Sequence, residues 1–464
     1  MMREIEELLK FIKNSPSMFH TIETISKELK AAGFQYLPET RGWELKAGGA
    51  YYTTRNGSSL IAFKIGEEIK DLHFQITASH SDSPTYKIKH LPELEGAGGS
   101  LRLDVEGYGG MIDSSWFDRP LSVAGRVVVQ EGNQICSRLI NFDRELLLIP
   151  NVAIHFNRQI NQGYAYNRQV DLCPLFSAGE LKKGAFDALV AKELGVKPEQ
   201  ILGKDLYLVN RQDGKLWGAA EEFVSAPKLD DLECAYTSLR GFLEAENKES
   251  VNVYCCFDNE EVGSGTKQGA LSTFLSDVLH RISDGWDLMR KTGTDSSRQT
   301  NPLERTNKLE RANLSAQERY YQAVAASFLV SCDNAHAVHP NHPEKTDAIN
   351  CCFLNKGIVI KESANQKYTT DAVGRAVFTA ICDRAGVPHQ TFANRSDSPG
   401  GSTLGNLSNT QVSLNAVDIG LAQLAMHSSY ETAGSKDVAY GIRALKAFYE
   451  TNLVLRENII SFEK

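Results

Sequence analysis

The sequence predicts an α/β protein in which one α/β unit is interrupted by an inserted β-rich segment. Three observations carry that expectation. Strand-like and helix-like runs alternate near both ends of the chain. Between about residues 96 and 222 they give way to short β-rich runs punctuated by glycine. The length, 464 residues, is greater than one small domain needs, and chains of this size usually divide. The expected boundaries are 1–95 and 223–464 for the two parts of the α/β unit, with 96–222 as the insertion.

The elements follow in order. Ile5, Leu8, Leu9 and Ile12 fall on one helical face. A second helix is expected after Ser15-Pro16, with Ile22, Ile25 and Leu29 inward and Gly33 as its C-terminal cap. Residues 59–65 and 73–79 read as strands. Within the glycine-rich middle, 121–130 and 145–149 read as strands and 185–194 as a helix. Helix is expected over 232–243, strand over 251–257, helix over 317–330 and strand over 357–361. Two more helices are expected over 371–385 and 437–453. The polar stretch 285–316 reads as a long loop, of the kind that is disordered or forms a lid.

Composition narrows the function. Hydrophobic residues make up 42% and charged residues 23%, ordinary for a soluble globular protein. The net charge of -8 argues against nucleic acid or an anionic membrane as partner. No apolar run is long enough to span a bilayer. The N-terminal stretch is acidic where a signal peptide is basic and then apolar. Nine cysteines, an odd number without a C-x-x-C, suit reduced thiols and a cytoplasmic location.

Five places combine metal-ligating residue types with a strand end or turn. They are His80-Ser81-Asp82, Leu229-Asp230-Asp231-Leu232, Asp258-Asn259-Glu260-Glu261, Asp333-Asn334-Ala335-His336 and Met426-His427-Ser428. Each has an ordinary reading alone. A histidine at a strand end can be merely hydrogen-bonded, Asp230 or Asp231 can cap the following helix, and Glu260-Glu261 can be a solvated strand exit. Together they hold enough imidazoles and carboxylates for two ions bridged by one carboxylate. Such a set suits zinc, manganese or cobalt. Competing motifs fail: there is no H-E-x-x-H, Gly214-Lys215 continues with Leu216, and Gly400-Gly401-Ser402 lacks the last glycine of a nucleophile elbow.

At this point the residues resemble a known family. His80-Ser81-Asp82-Ser83-Pro84 is similar to the His-Thr-Asp-Ser-Pro motif of the aspartyl aminopeptidases, the M18 metallopeptidases. Leu229 to Leu232 resembles their Leu-Asp-Asn-Leu, and Asp258 to Ser264 their Asp-x-Glu-Glu-Val-Gly-Ser. Asp333 to Asn341 and Gln423 to Ser428 match as well, all in family order. Asp231 stands where the family has Asn, Ser81 where it has Thr, and Asn334 where it often has Met.

The resemblance implies a mixed-sheet metallopeptidase domain with helices on both faces, interrupted by a β-rich assembly domain. It implies two divalent ions, zinc first, with manganese or cobalt as alternatives. His80 and His427 become terminal ligands on opposite ions, Asp230 the bridge, and Glu261 and Asp333 the remaining ligands. Glu260 becomes the general base and Asp82 the residue orienting His80. His336, Lys361 and Tyr368 become substrate contacts, Lys361 with an acidic first side chain. His155 becomes a donor to a neighbouring subunit's site, within a tetrahedral homododecamer. The implied reaction is removal of the N-terminal residue from peptides, acidic ones favoured. Two alternatives stay open: the same chemistry with neutral preference, and a non-catalytic metal-stabilised assembly protein.

Overall fold

The computed structural model describes residues 2–292, 314–456 and 459–463. Its centre is a nine-stranded mixed sheet. Phe74–His80 lies within it, parallel to Val251–Phe257 on one side and to Phe328–Cys332 on the other. Asn415–Gly420 continues the parallel run beyond Phe328–Cys332. Ser59–Ile65 runs antiparallel to Val251–Phe257, and Ile358–Glu362 antiparallel to Asn415–Gly420. The mixture matches the α/β expectation.

Both faces of this sheet are covered, as the alternation of side chains shows. Tyr254 and Cys256 pack into a core shared with helices Met2–Lys13, Met18–Ala31, Leu229–Glu244, Ala372–Ala385 and Asp437–Glu450. Val253, Cys255 and Phe257 point the other way, into a core shared with Phe274–Thr292 and Ala316–Ala325. Every residue of Phe74–His80, Val251–Phe257 and Phe328–Cys332 is buried. Such doubly covered strands read as continuous apolar runs, without the alternation of a half-exposed strand.

A second sheet is built wholly from residues 85–210. Its seven strands run in the order Ile201–Asn210, Thr85–Glu95, Leu101–Tyr108, Leu175–Ser177, Leu147–Leu148, Pro120–Glu131 and Gln134–Asn141. Ile201–Asn210 also pairs along Pro120–Glu131, which curls the sheet back on itself. It encloses its own core, including Tyr86, Leu103, Val123 and Leu206. A smaller five-stranded sheet joins Phe223–Ala226 to Glu431–Gly434, Ala422–Leu424 and Ala335–His336.

Three expectations need correction. The helix expected over 317–330 spans Ala316–Ala325, and Phe328–Cys332 is a strand. Ser327 makes the break: its Oγ accepts from Phe74 N at 2.8 Å and donates to Ala323 O at 2.5 Å, tying the helix end to the neighbouring strand. The helix expected over 437–453 ends at Glu450, and Asn452–Arg456 forms a hairpin with Ile459–Glu463. Residues 285–292, expected as loop, complete the helix Phe274–Thr292. Of the rest of that expected loop or lid, 293–313 lies outside the described residues, and Ala316 already opens the next helix.

One buried base makes folding sensitive to acid. His20 is buried in the second helix, its Nδ1 2.8 Å from Ser17 Oγ. Burial pushes its pKa down to about 4. The unfolded chain therefore binds a proton first as pH falls, and stability present above about pH 6.5 is lost toward pH 4. The expected loss between pH 7 and pH 5 is about 2 kcal/mol from this residue. Denaturant titrations of metal-free protein at the two values should show it, and His20→Gln should reduce the drop by that amount.

Candidate metal centre

Three adjacent parallel strands end at the same edge, and each delivers an acid or an imidazole there. Their carboxyl ends form the crevice in which open α/β sheets bind ligands. His80 is the last residue of its strand and is 1% exposed. Glu260 and Glu261 follow Phe257 by way of Asn259, whose φ of 64° turns the chain into the short 3-10 turn Glu260–Val262. That turn breaks the strand alternation, so both neighbouring glutamates can face one place. Asp333 follows Cys332 directly. A Cβ on Gly420, in the adjacent strand, would lie only 2.0 Å from the Asp333 carbonyl oxygen. The side chain's absence there is what lets the Asp333 turn close over the sheet.

Asp230 sits at the middle. One carboxylate oxygen, Oδ1, is 3.4 Å from His80 Nε2, and the other, Oδ2, is 3.4 Å from His427 Nε2. His427 Nε2 is also 3.4 Å from Glu261 Oε2. Two overlapping groups result: His80, Asp230, Asp231 and Asp333 in one, Asp230, Glu261 and His427 in the other. In each, one possible ligand atom per residue lies within 4.8 Å of all the rest. Glu260 joins His80 and Glu261 in a third such group. The structure thus brings together His80, Asp230, Glu260, Glu261, Asp333 and His427.

Electrostatics explain why this crowd wants a cation. Burial alone would raise the Asp230 pKa, but the nearby imidazoles of His427 and His80 reverse that and hold the carboxyl below its usual range. The others lack enough positive neighbours. Burial, with the charge of Asp230, pushes Glu261 well up. Burial, against the pull of His80 and with the push of Asp333, takes Glu260 up to about 8. Asp231 also rises well above its usual value through burial, helped by Asp333 and Asp230 and opposed by His80. His427 is driven the other way, up to about 10, because Asp230 and Glu261 outweigh its burial. Asp230 Oδ1 and Glu261 Oε1 are buried without a hydrogen-bond donor. Buried carboxylate oxygens in that state are costly unless they meet a cation. The donors are imidazole nitrogen and carboxylate oxygen, a set that fits zinc, manganese or cobalt.

A second layer holds these groups in place. Asp82 accepts from the Glu260 N–H at Oδ1 and from the Glu261 N–H at Oδ2, both at 3.2 Å, and its Oδ1 is 3.4 Å from His80 Nδ1. Asp231 Oδ2 accepts from the His80 N–H at 2.9 Å, so its carboxylate fixes a ligand backbone. Glu431, 1% exposed, accepts from Asp230 N at 3.0 Å and from His427 N at 2.6 Å. His427 needs that support, because it takes the left-handed backbone region at φ 67°. Its Nδ1 lies 2.7 Å from the carbonyl oxygen of Gly110. Glu431, Gly110 and Tyr108 are absent from the sequence expectation. Only the four-residue spacing from His427 to Glu431 could have hinted at the first.

The expected substrate contacts divide. His336 is exposed at the end of its short strand. Desolvation, and then the charge of Lys361, lowers its pKa and favours the neutral imidazole. Lys361 is not open to a substrate carboxylate. It is 2% exposed, donates to the carbonyls of Asp333 at 2.8 Å and Asn334 at 3.3 Å, and lies 3.8 Å from Asp333 Oδ2. The ammonium is taken up by the Asp333 turn. Tyr368 is also buried, its ring 5.3 Å from Lys361 Nζ and its hydroxyl accepting from Asn394 at 3.3 Å. His155 is exposed, on a segment with exposed Val152, Ile154 and Phe156, and belongs to none of the groups above.

Comparison with known proteins gives a consistent picture. A family model described as "Aminopeptidase I zinc metalloprotease (M18)" matches residues 11–449. A protein of Clostridium novyi (strain NT) named "Probable M18 family aminopeptidase 2" is 42% identical over 449 residues, covering 96% of this chain and 98% of its own. One of the same name from Ectopseudomonas mendocina (strain ymp) is 37% identical over 459 residues, covering 97% and 99%. Among solved structures, the Ape4 and Nbr1 complex contains a chain 34% identical with TM-score 0.86, covering 96% of this chain and 85% of that one. The S. cerevesiae mApe1 dodecamer is 26% identical with TM-score 0.79, covering 97% of each.

The Glu431 contacts give a test independent of turnover. Glu431→Gln replaces one acceptor oxygen by an amide that points hydrogens at a buried N–H. An unfolding measurement on metal-free protein should show a loss of about 1–3 kcal/mol, the cost of an unsatisfied buried donor. Unchanged stability would mean that the two ligand backbones do not depend on this carboxylate.

Proposed function

The chain belongs to the M18 family of zinc aminopeptidases, and from that premise we propose that it removes N-terminal residues from peptides at a centre holding two divalent ions, zinc first. The observation that carries this reading is Asp230, with one carboxylate oxygen toward each histidine. His80, Asp230 and Asp333 would hold one ion, and Asp230, Glu261 and His427 the other. When bound, such ions polarise a peptide carbonyl and make a water more acidic.

The chain's own groups supply the rest. Glu260 stands beside both groups and is the base that takes the proton from the attacking water, then passes it to the leaving amine. Its raised pKa belongs to the cation-free centre, because a neighbouring cation favours the ionised form. Asp82 orients His80 and the Glu260–Glu261 backbone. Neutral His336, at the rim, is suited to accept from or donate to a substrate group. His155 would act in a neighbouring subunit as a donor to the developing oxyanion. Its segment is anchored by Asn151, whose N–H and Nδ2 donate to Asp118 at 2.9 and 2.7 Å.

The wider reading rests on the same premise. The inserted unit over 96–222 would serve assembly into a tetrahedral homododecamer, with the exposed Phe156 segment as one contact. The nine free cysteines suit a reducing compartment, and cytoplasm is the proposed location. No helix among the described residues is long and apolar enough to cross a membrane. The acidic substrate preference is the narrower proposal. The inward-turned Lys361 favours its alternative, neutral first residues, since the expected cation is already engaged.

Three outcomes are expected. Chelation should abolish hydrolysis, and added zinc, manganese or cobalt should restore it. Glu260→Gln should lower kcat at least about 100-fold, the scale of a lost general base, while elemental analysis finds metal content unchanged. Full activity in that variant would refute the base assignment. A panel of peptides starting with Asp, Glu, Leu or Lys, assayed after metal reconstitution, decides preference: kcat/KM highest for Leu supports the neutral reading, and highest for Asp or Glu supports the acidic one.

A further inference from the structure

We propose that Tyr108, carried by the β-rich sheet, is a positioning residue for the metal centre, acting through Asp82. The proposal rests on the aminopeptidase reading above and adds a residue that the sequence motifs do not include. Tyr108 is the last residue of Leu101–Tyr108 and pairs with Thr85, three residues beyond Asp82. Its hydroxyl donates to Asp82 Oδ2 at 2.7 Å and accepts from Asn259 Nδ2 at 2.8 Å. The contact to Asp82 is shorter than either backbone N–H contact to the same carboxylate. A phenol donating to a carboxylate is a charge-assisted bond, about twice as strong as a neutral one.

What Tyr108 fixes then spreads. The Asp82 carboxylate accepts from the backbone of both Glu260 and Glu261, while His80 Nδ1 lies 3.1 Å from the Asp82 main-chain oxygen and 3.4 Å from Oδ1. Asn259 sets the turn that carries those glutamates. One hydroxyl therefore reaches an imidazole, the proposed base and a proposed ligand through two intermediaries. Partners of this kind orient ligands and tune their basicity, and their loss typically costs about 10–100-fold in metal affinity or activity.

The chain beyond Tyr108 repeats the arrangement at the other imidazole. Gly109 takes φ 78°, and a Cβ there would come within 3.1 Å of Glu261 Cβ. Gly110 offers its carbonyl to His427 Nδ1 at 2.7 Å, and Ile112 N–H donates to His427 O at 2.9 Å. Ser115 Oγ accepts from Ser429 N at 2.8 Å, and Ser429 Oγ donates to Ser115 O at 2.5 Å. Both histidines thus present Nε2 to Asp230, while residues 108–115 govern the far side of each ring. At His427 this is direct, and at His80 it passes through Asp82.

Tyr108→Phe is the variant of choice, since it keeps the ring and its edge contact to Tyr207 at 5.6 Å. With saturating zinc, kcat should fall about 10–100-fold, with KM changed less than about twofold because substrate contacts are untouched. Zinc release to a chelator should speed up, beyond the loss of metal-free stability that the missing bonds to Asp82 and Asn259 themselves cause. A loss of stability with unchanged kcat and zinc release would show that the residue only packs, and would overturn the proposal. Adding Tyr108→Phe to Asp82→Asn should cost little further, because the two act in series. Full additivity of the two losses would overturn it too. If the wild type cleaves no peptide, the aminopeptidase reading fails separately, and the zinc-release rates alone still decide whether Tyr108 holds the centre.

Discussion

The structure is organised around the cost of placing several carboxylates in one crevice. Asp230, Asp231, Glu260, Glu261 and Asp333 converge where His80 and His427 are the facing bases. Buried charge of one sign is tolerated only with compensation, and two imidazoles do not supply enough. The sheet order creates this difficulty. Phe74–His80 lies between two parallel strands, so the ends of all three strands come together at one edge. The same order makes the crevice useful, because a small cation is then surrounded without any loop having to reach across the molecule.

Holding such a centre is largely a matter of fixing backbone. Asp82, Asp231 and Glu431 use their carboxylates on the main-chain N–H groups of Glu260, Glu261, His80, Asp230 and His427. A carboxylate that accepts from two backbone donors sets their separation, and so sets the direction in which each ligand side chain leaves the chain. Asp231 belongs to this group: one oxygen accepts from the His80 N–H, and an amide oxygen could do the same. Lys361 performs the complementary task with carbonyls, gathering those of Asp333 and Asn334.

Much of this centre could be read from the sequence because residue type and position agree there. Imidazole and carboxylate at strand ends and turns are unusual enough to mark the five candidate places, and the family resemblance then singled out His80, Asp230, Glu260, Glu261, Asp333 and His427 among them. Tyr108, Gly110 and Glu431 were not marked, for two physical reasons. Gly110 contributes a carbonyl oxygen that every residue has, and Tyr108 acts from a strand of another sheet that no local pattern connects to Asp82. The strand Phe328–Cys332 was hidden because its apolar run continues that of the preceding helix without a break in composition. For Lys361 the sequence shows a positive charge near the site but not that it turns toward the carbonyls of Asp333 and Asn334.

The groups that meet at Asp230 come from widely separated parts of the chain, with His80 before the β-rich sheet and His427 near the far end. No contiguous fragment shorter than that span contains both histidines, and the middle of the chain lies between them as a sheet of its own. A peptide-cutting centre built this way stays silent throughout most of its own synthesis. The emerging polypeptide carries a free N-terminus of the kind such an enzyme removes, yet the cutting edge exists only once nearly the whole chain has left the ribosome. The scatter of the ligands along the sequence thus acts as a timer, separating manufacture from activity.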